Sequence, residues 1–237
     1  MRSLDHRAGS FLSLGKPIKF ESLSGWEGGL APARPSLVSG TVVRCYREET
    51  TTSMSNEAQE RIVTIFGGAK CSESDLEYVQ AMRVGELLAD AGFTICTGGY
   101  LGVMEAASRG AHERGGRVLG IVMNQFKAEP NRYLTDKVAT PHFYERLQRL
   151  ITRSVGFIAI RGGMGTVTEL SLVWNKIQTG VIGPRPLVLL GECWPPIVRE
   201  WQKHLAVSDG DVAALDFAET PEEAVSIINE KSQGVTL

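Results

Sequence analysis

From Arg61 onward the chain alternates short, continuous apolar runs with longer segments of helical period, and this alternation restricts the fold more than any other feature. Ile62-Val63-Thr64-Ile65-Phe66 and Phe93-Thr94-Ile95-Cys96 are such runs, as are residues 117–122, 155–160 and 186–190. Runs of this length without polar alternation suit strands buried on both faces. Between them, Leu76, Val79, Met82, Val84 and Leu87-Leu88 recur at roughly helical spacing, with Ser72 or Ser74 as a cap and Gly92 as the stop. Further helices are expected over residues 102–114, 141–153, 166–179 and 195–206. A last one begins at Thr220-Pro221-Glu222-Glu223, a cap followed by proline at the first helical position. The polar stretch up to about Thr140 reads as a loop, and a short segment near Leu215-Asp216-Phe217 precedes the last helix. The expected fold is α/β, a Rossmann-like, doubly wound, mostly parallel sheet with helices on both faces. Sheets of this kind bind ligands outside the carboxyl ends of their strands, near the switch in strand order. Three glycine turns fall at those ends: Gly67-Gly68, Gly98-Gly99 and Gly162-Gly163-Met164-Gly165.

The first 53 residues differ in kind. They are rich in Ser, Gly, Arg and Pro, show neither period, and carry seven Lys/Arg against five Asp/Glu. Residues 1–53 are therefore expected to be a disordered extension and 54–237 the folded nucleotide-binding domain. The extension is either an upstream segment ahead of a start at Met54 or an organelle transit peptide.

Composition excludes several function classes. A net charge of −2 gives no electrostatic case for nucleic-acid binding. No run approaches the roughly 18 apolar residues of a membrane span. Cys45, Cys71, Cys96 and Cys193 have neither metal-ligand spacing nor the density of a disulfide framework. Scattered thiols suit a reducing compartment, so a cytoplasmic protein without bound metal is expected. His112, His142 and His204 are isolated and take no role. Trp174 and Trp201 are expected in the core or an interface.

A glycine loop that leaves a strand and opens a helix presents several backbone N–H groups on one side, where the helix dipole adds partial positive charge; together these favour a phosphate. Residues 160–170 have this form, although no Gly-Lys-Ser/Thr follows as in a Walker loop. Two readings of Thr166-Val167-Thr168-Glu169 compete. It is a capping box, with Thr166 as cap and Glu169 returning to it, or Glu169 is a carboxylate pointing into the cleft and acting on a sugar. Arg146, Arg149 and Arg153 share a helical face, either as a solvated stripe or with Arg146 turned toward the strand ends. Glu105, in the first turn after Gly98-Gly99-Tyr100-Leu101-Gly102, is either a dipole partner or a ligand contact.

Residues 162–169 resemble the P-G-G-x-G-T-x-x-E signature of the LOG (LONELY GUY) family, often labelled lysine decarboxylase-like. Residues 97–105, Thr-Gly-Gly-Tyr-Leu-Gly-Val-Met-Glu, resemble the second family motif, G-G-G-x-x-G-L-M. The resemblance covers about residues 61–205. It implies a dimeric Rossmann-like enzyme that hydrolyses nucleoside 5′-monophosphates, including AMP and cytokinin ribotides, to free base and ribose 5-phosphate, with no cofactor. It implies catalytic roles for Arg146 and Glu169. It also implies substrate or phosphate contacts from Gly98, Gly99, Gly102, Glu105, Gly162, Gly163, Met164, Gly165 and Thr166. Asn175 falls where many members carry a substrate-contacting threonine. No lysine is placed for a pyridoxal-phosphate Schiff base, so the decarboxylase label has no support.

Three positions break the family pattern. Arg161 stands where the loop begins with proline, Leu147 where lysine follows the arginine, and Gly67-Gly68-Ala69 where the first strand usually ends Gly-Ser-Ser. A guanidinium at 161 adds a phosphate contact or changes which ligand fits. These changes leave open an alternative, a non-hydrolytic binding or carrier protein for a nucleotide or a molybdenum-cofactor-like pterin. Met104-Glu105-Ala106 and Asn131-Arg132-Tyr133-Leu134-Thr135 resemble that carrier branch.

Overall fold

The computed structural model describes residues 60–235; the expected extension over residues 1–53 lies outside them. Seven strands form one sheet: β1 (Ile62–Phe66), β2 (Thr94–Thr97), β3 (Val118–Met123), β4 (Asp136–Thr140), β5 (Ser154–Ile160), β6 (Leu187–Leu190) and β7 (Asp216–Ala218). The order across the sheet is β4-β3-β2-β1-β5-β6-β7, and every pairing is parallel. The order reverses between β1 and β5, so the ligand crevice of such a sheet opens where these two strands end.

Both faces are covered, as continuous apolar strands require. The seven helices are α1 (Leu76–Asp90), α2 (Val103–Glu113), α3 (Phe143–Thr152), α4 (Met164–Gln178), α5 (Trp194–His204), the short α6 (Asp209–Val212) and α7 (Pro221–Lys231). One core joins Val63, Ile65, Ile95, Ile158 and Val188 to α1, α2 and α7. The other joins Phe66, Cys96, Phe157, Ala159 and Leu189 to α3, α4 and α5. Val63 and Ile65 of β1 face the first core and Ile62 and Phe66 the second, while buried Thr64 donates its hydroxyl to the Leu150 carbonyl at 2.8 Å. Trp174 belongs to the second core, donates its indole N–H to the Asp211 carbonyl at 2.8 Å and packs against Trp201.

Three local expectations are corrected. Residues 136–140 form an edge strand where a loop was expected. Its side chains alternate between half-buried and exposed, and Asp136 and Lys137 suit a strand with one open edge. Helix α1 starts at Leu76 with Asp75 in the cap position and no side-chain cap bond; Ser72 instead donates its amide and hydroxyl to the Asp75 carboxylate at 2.7 and 2.8 Å. Helix α4 starts at Met164, two residues ahead of Thr166, because Gly163 takes the cap position. The cap at Thr220 forms as expected, accepting the Glu223 amide at 3.2 Å.

Candidate functional site

The early start of α4 removes one of the two readings of its first turn. With Gly163 as cap, Thr166 is the third helical residue and cannot cap, and no side chain caps this helix at all. The capping box is therefore absent. Val167 is the first residue with a helical acceptor, the Gly163 carbonyl at 3.1 Å, so the amides of residues 163–166 precede the helical ladder. The first turn carries no acidic residue, so nothing on it opposes an anion there. A Cβ on Gly163 or Gly165 would meet nothing within 4 Å, so the outer side of the loop is open.

The inner side is closed. A Cβ on Gly162 would overlap the Thr166 hydroxyl and lie 2.7 Å from the Gly68 amide nitrogen. That amide donates to the Arg161 carbonyl at 3.2 Å, and the Gly68 carbonyl accepts from Val103 N at 2.9 Å. The turns after β1, β2 and β5 are thereby tied together by backbone. Gly102, with φ of 68°, caps α2 in a conformation that disfavours side chains.

Beneath the loop, Arg146 and Glu169 meet. Arg146 is 5% exposed, on α3. Its Nε donates to the Ile121 carbonyl at 2.9 Å, Nη2 to the Gly98 carbonyl at 3.4 Å, and Nη1 to Glu169 Oε1 at 3.4 Å. Its guanidinium also lies 6.0 Å from the Tyr100 ring centroid, at the outer reach of a cation–π contact. The other two arginines of the stripe, Arg149 and Arg153, are exposed, and Arg149 pairs with Glu145. Glycine at position 98 is what admits Arg146: a Cβ there would overlap Nη2.

Glu169 is one turn into α4, with its side chain 15% exposed. Burial pushes its carboxyl up to about 7, against the pull of Arg146. The 3.4 Å contact is long for a charge-assisted hydrogen bond. Burial and Arg146 thus act on this carboxyl in opposite directions, with burial the larger.

Gly98, Gly99, Gly102, Gly162, Gly163, Gly165 and Thr166 converge on this crevice through the contacts given above or their position in its turns. Met164 opens the helix with its side chain 77% exposed. Glu105 and Asn175 are not brought into the cluster. Glu105 lies near Tyr78 and Arg132, while Met104, beside it, is the residue that packs toward Gly98. Asn175 is exposed and lies six residues past Glu169, about 9 Å along the helix.

Sequence reasoning missed the supports. The Tyr100 hydroxyl accepts the Met123 amide at 2.9 Å and donates to the Met123 carbonyl at 3.3 Å. Buried Asn131 donates to the Tyr100 carbonyl at 2.9 Å and so ties the β3–β4 connection to the β2 turn. A cavity of about 330 Å³ lies apart from the glycine loops, between α3 and Ile62, Cys96, Leu119, Ile121 and Val138. Among the described residues no group of three or more His, Cys, Asp or Glu side chains is gathered for a metal, and no helix is long and apolar enough to cross a membrane.

The SLOG cluster4 family model matches residues 60–224. An uncharacterized protein of Archaeoglobus fulgidus is 31% identical over 164 residues, 69% of this chain and 91% of that protein. The cytokinin riboside 5′-monophosphate phosphoribohydrolase of Mycobacterium marinum is 30% identical over 163 residues, 65% of this chain and 84% of that protein. The pyrimidine/purine nucleotide 5′-monophosphate nucleosidase of Escherichia coli K12 is 31% identical over 141 residues, 55% of this chain but only 31% of the longer enzyme. Among solved structures, the molybdenum cofactor binding protein of Rippkaea orientalis superposes with a TM-score of 0.60 at 23% identity, over 75% of this chain and 98% of that one. The last likeness is one of fold.

Proposed function

The chain belongs to the SLOG cluster4 family, of the LOG type, and from that premise we propose that it hydrolyses the N-glycosidic bond of nucleoside 5′-monophosphates, AMP or cytokinin ribotides, to free base and ribose 5-phosphate. The observation that carries this reading is the buried Arg146–Glu169 pair, with Glu169 one turn into a helix that opens on the glycine loop and has no side-chain cap. The open amides of residues 163–166 receive the 5′-phosphate, and binding there fixes the ribose over the pair. Breaking the bond at C1′ leaves positive charge on the ribosyl ring. The Glu169 carboxylate, ionised, stabilises that charge and orients the attacking water, whose oxygen bonds to C1′ while the base departs on its nitrogen and takes a proton. Arg146 positions Glu169 and favours its charged form against the opposing effect of burial.

The test is free-base release from AMP and isopentenyladenosine monophosphate, with Glu169→Gln beside the native protein. Release that Glu169→Gln reduces by two orders of magnitude or more supports the reading; no release, or an unaffected variant, sinks it. A non-hydrolytic carrier would use the same cradle, and Arg161 in place of proline favours it. That reading requires a pterin or nucleotide to co-purify with no turnover.

The same reading makes the protein a homodimer. Leu101, Phe143, Tyr144 and Met164 are 53%, 41%, 83% and 77% exposed. All four lie on segments leaving the carboxyl ends of strands, where a second copy would remove their apolar surface from water. Sedimentation velocity checks this, and a monomer at micromolar concentration refutes it.

A further inference from the structure

We propose that Phe126 is a specificity-determining residue, the aromatic shelf on which the base of the nucleotide stacks, so that the site prefers purine over pyrimidine 5′-monophosphates. The inference rests on the nucleotide reading above and names the base class within it.

The ring stands at the carboxyl ends of the strands. Its amide donates at 3.1 Å to the carbonyl of Met123, the last residue of β3. The connection that carries it is tied on both sides. Before it, the Asn124 amide donates to the Thr140 carbonyl at 3.0 Å; beyond it, the Asn131 amide donates to the Gly99 carbonyl at 2.9 Å. Phe126 packs on Tyr100, with ring centroids 5.5 Å apart and planes tilted by 52°. Tyr100 is a fixed support, because its hydroxyl engages both backbone groups of Met123 and its carbonyl accepts from the Asn131 side chain. Phe126 nevertheless stays 45% exposed, and among the described residues Tyr100 is its one aromatic neighbour. A rigidly seated ring with a free side gains by covering it with another flat group.

The order of groups across the crevice is the order of groups in a nucleotide. The strands run β3-β2-β1-β5. The glycine loop follows β5. Arg146, paired with Glu169, reaches the other way, to the carbonyls of Gly98 after β2 and Ile121 in β3. Its guanidinium lies 6.0 Å from the centroid of the Tyr100 ring that carries Phe126. A 5′-phosphate on the loop and C1′ at Glu169 therefore send the base toward the ends of β2 and β3, where Phe126 stands. The polar groups of this support already have partners: the Tyr100 hydroxyl is spent on Met123, and Asn131 on Tyr100 and the Tyr133 amide. Such a shelf reads a base by overlap, and a fused two-ring purine overlaps a phenyl ring more than a single-ring pyrimidine does.

Equilibrium dialysis of the full chain carrying Glu169→Gln, with AMP, CMP and ribose 5-phosphate as probes, tests this. AMP is expected to bind about tenfold tighter than CMP, and Phe126→Ala to weaken AMP about tenfold, as for one base on one aromatic side chain. Ribose 5-phosphate, which has no base, should be unaffected by Phe126→Ala. Phe126→Trp should keep the AMP affinity, and Phe126→Leu, which packs on Tyr100 without a ring, should lose it. Equal affinity for AMP and CMP, an AMP affinity unchanged by Phe126→Ala, or equal weakening of AMP and ribose 5-phosphate would overturn the proposal; the last would leave Phe126 as packing for Tyr100. Base release from AMP by the native protein is scored separately. A Phe126-dependent AMP preference without hydrolysis fails the hydrolase reading alone, hydrolysis with an AMP affinity indifferent to Phe126 fails this one alone, and no binding of AMP fails both.

Discussion

Replacing Glu169 by glutamine should change the pH dependence of stability in a direction set by burial. The carboxyl titrates at 4.5 when solvated and at about 7 in the folded chain, with burial the dominant cause. The folded state therefore binds more protons than the unfolded state between these values. Stability falls as pH rises through that window, because ionising a buried carboxylate costs more than Arg146 returns. At roughly 1.4 kcal/mol per pH unit the loss in the native protein is about 3 kcal/mol by pH 8. Glutamine keeps the shape and does not ionise, so the stability of Glu169→Gln relative to native should rise by about that amount between pH 4.5 and pH 8. Urea unfolding of both proteins across this range measures the difference, and the lost pairing with Arg146 is subtracted at the acid end. A difference that stays flat within about 0.5 kcal/mol would refute the reasoning. A change of opposite sign would show that Arg146 prevails over burial and that the carboxyl lies below its ordinary value.

The same titration should appear in catalysis. If Glu169 acts ionised, kcat/KM for AMP rises with pH through about 7 and then levels; a rate that falls over this range would give Glu169 the role of a general acid. Gly98→Ala should displace Arg146, since the added methyl overlaps Nη2 and lies 2.7 Å from Met104 Sδ. The expected result is a loss of kcat of at least about tenfold, together with about 1–3 kcal/mol of stability from overpacking, and a variant with native turnover would show that Arg146 is not needed in its observed position.

The parallel sheet was legible because its central strands are apolar on both faces, and Val63 and Ile65 point to one core while Ile62 and Phe66 point to the other. β4 was not legible, because an edge strand bound through its backbone tolerates Asp136 and Lys137. The register of α4 was misread for a related reason. Thr166 and Glu169 have the spacing of a capping box, yet glycine can cap without a side chain, and Gly163 does so three residues ahead of Thr166, so the helix starts at Met164. Arg146 could be singled out as one of three arginines on a face, but only the fold separates it from exposed Arg149 and Arg153. What holds Arg146, the carbonyls of Ile121 and Gly98, leaves no trace in side-chain identity. Any residue could supply those acceptors, so only tertiary structure reveals them.

The three breaks from the family pattern do not carry equal weight once placed in the fold. Leu147 is 4% exposed and sits among the buried residues of α3. A leucine there fills space in the interior and gives no group to the mouth of the crevice, so its presence argues little about turnover. Gly68 and exposed Ala69 stand where the family carries two serines, so two neutral hydroxyls are lost from this turn. Arg161 adds a charge beside it, held by an ionised carboxylate. None of the three is a hydrogen-bond partner of Arg146 or Glu169, whose partners are Ile121, Gly98 and each other. The chemistry at the floor of the crevice and the charge at position 161 are therefore separable: substitutions at 161 should leave the Arg146–Glu169 pair intact, and substitutions at 169 should change the rate at which any ligand reacts.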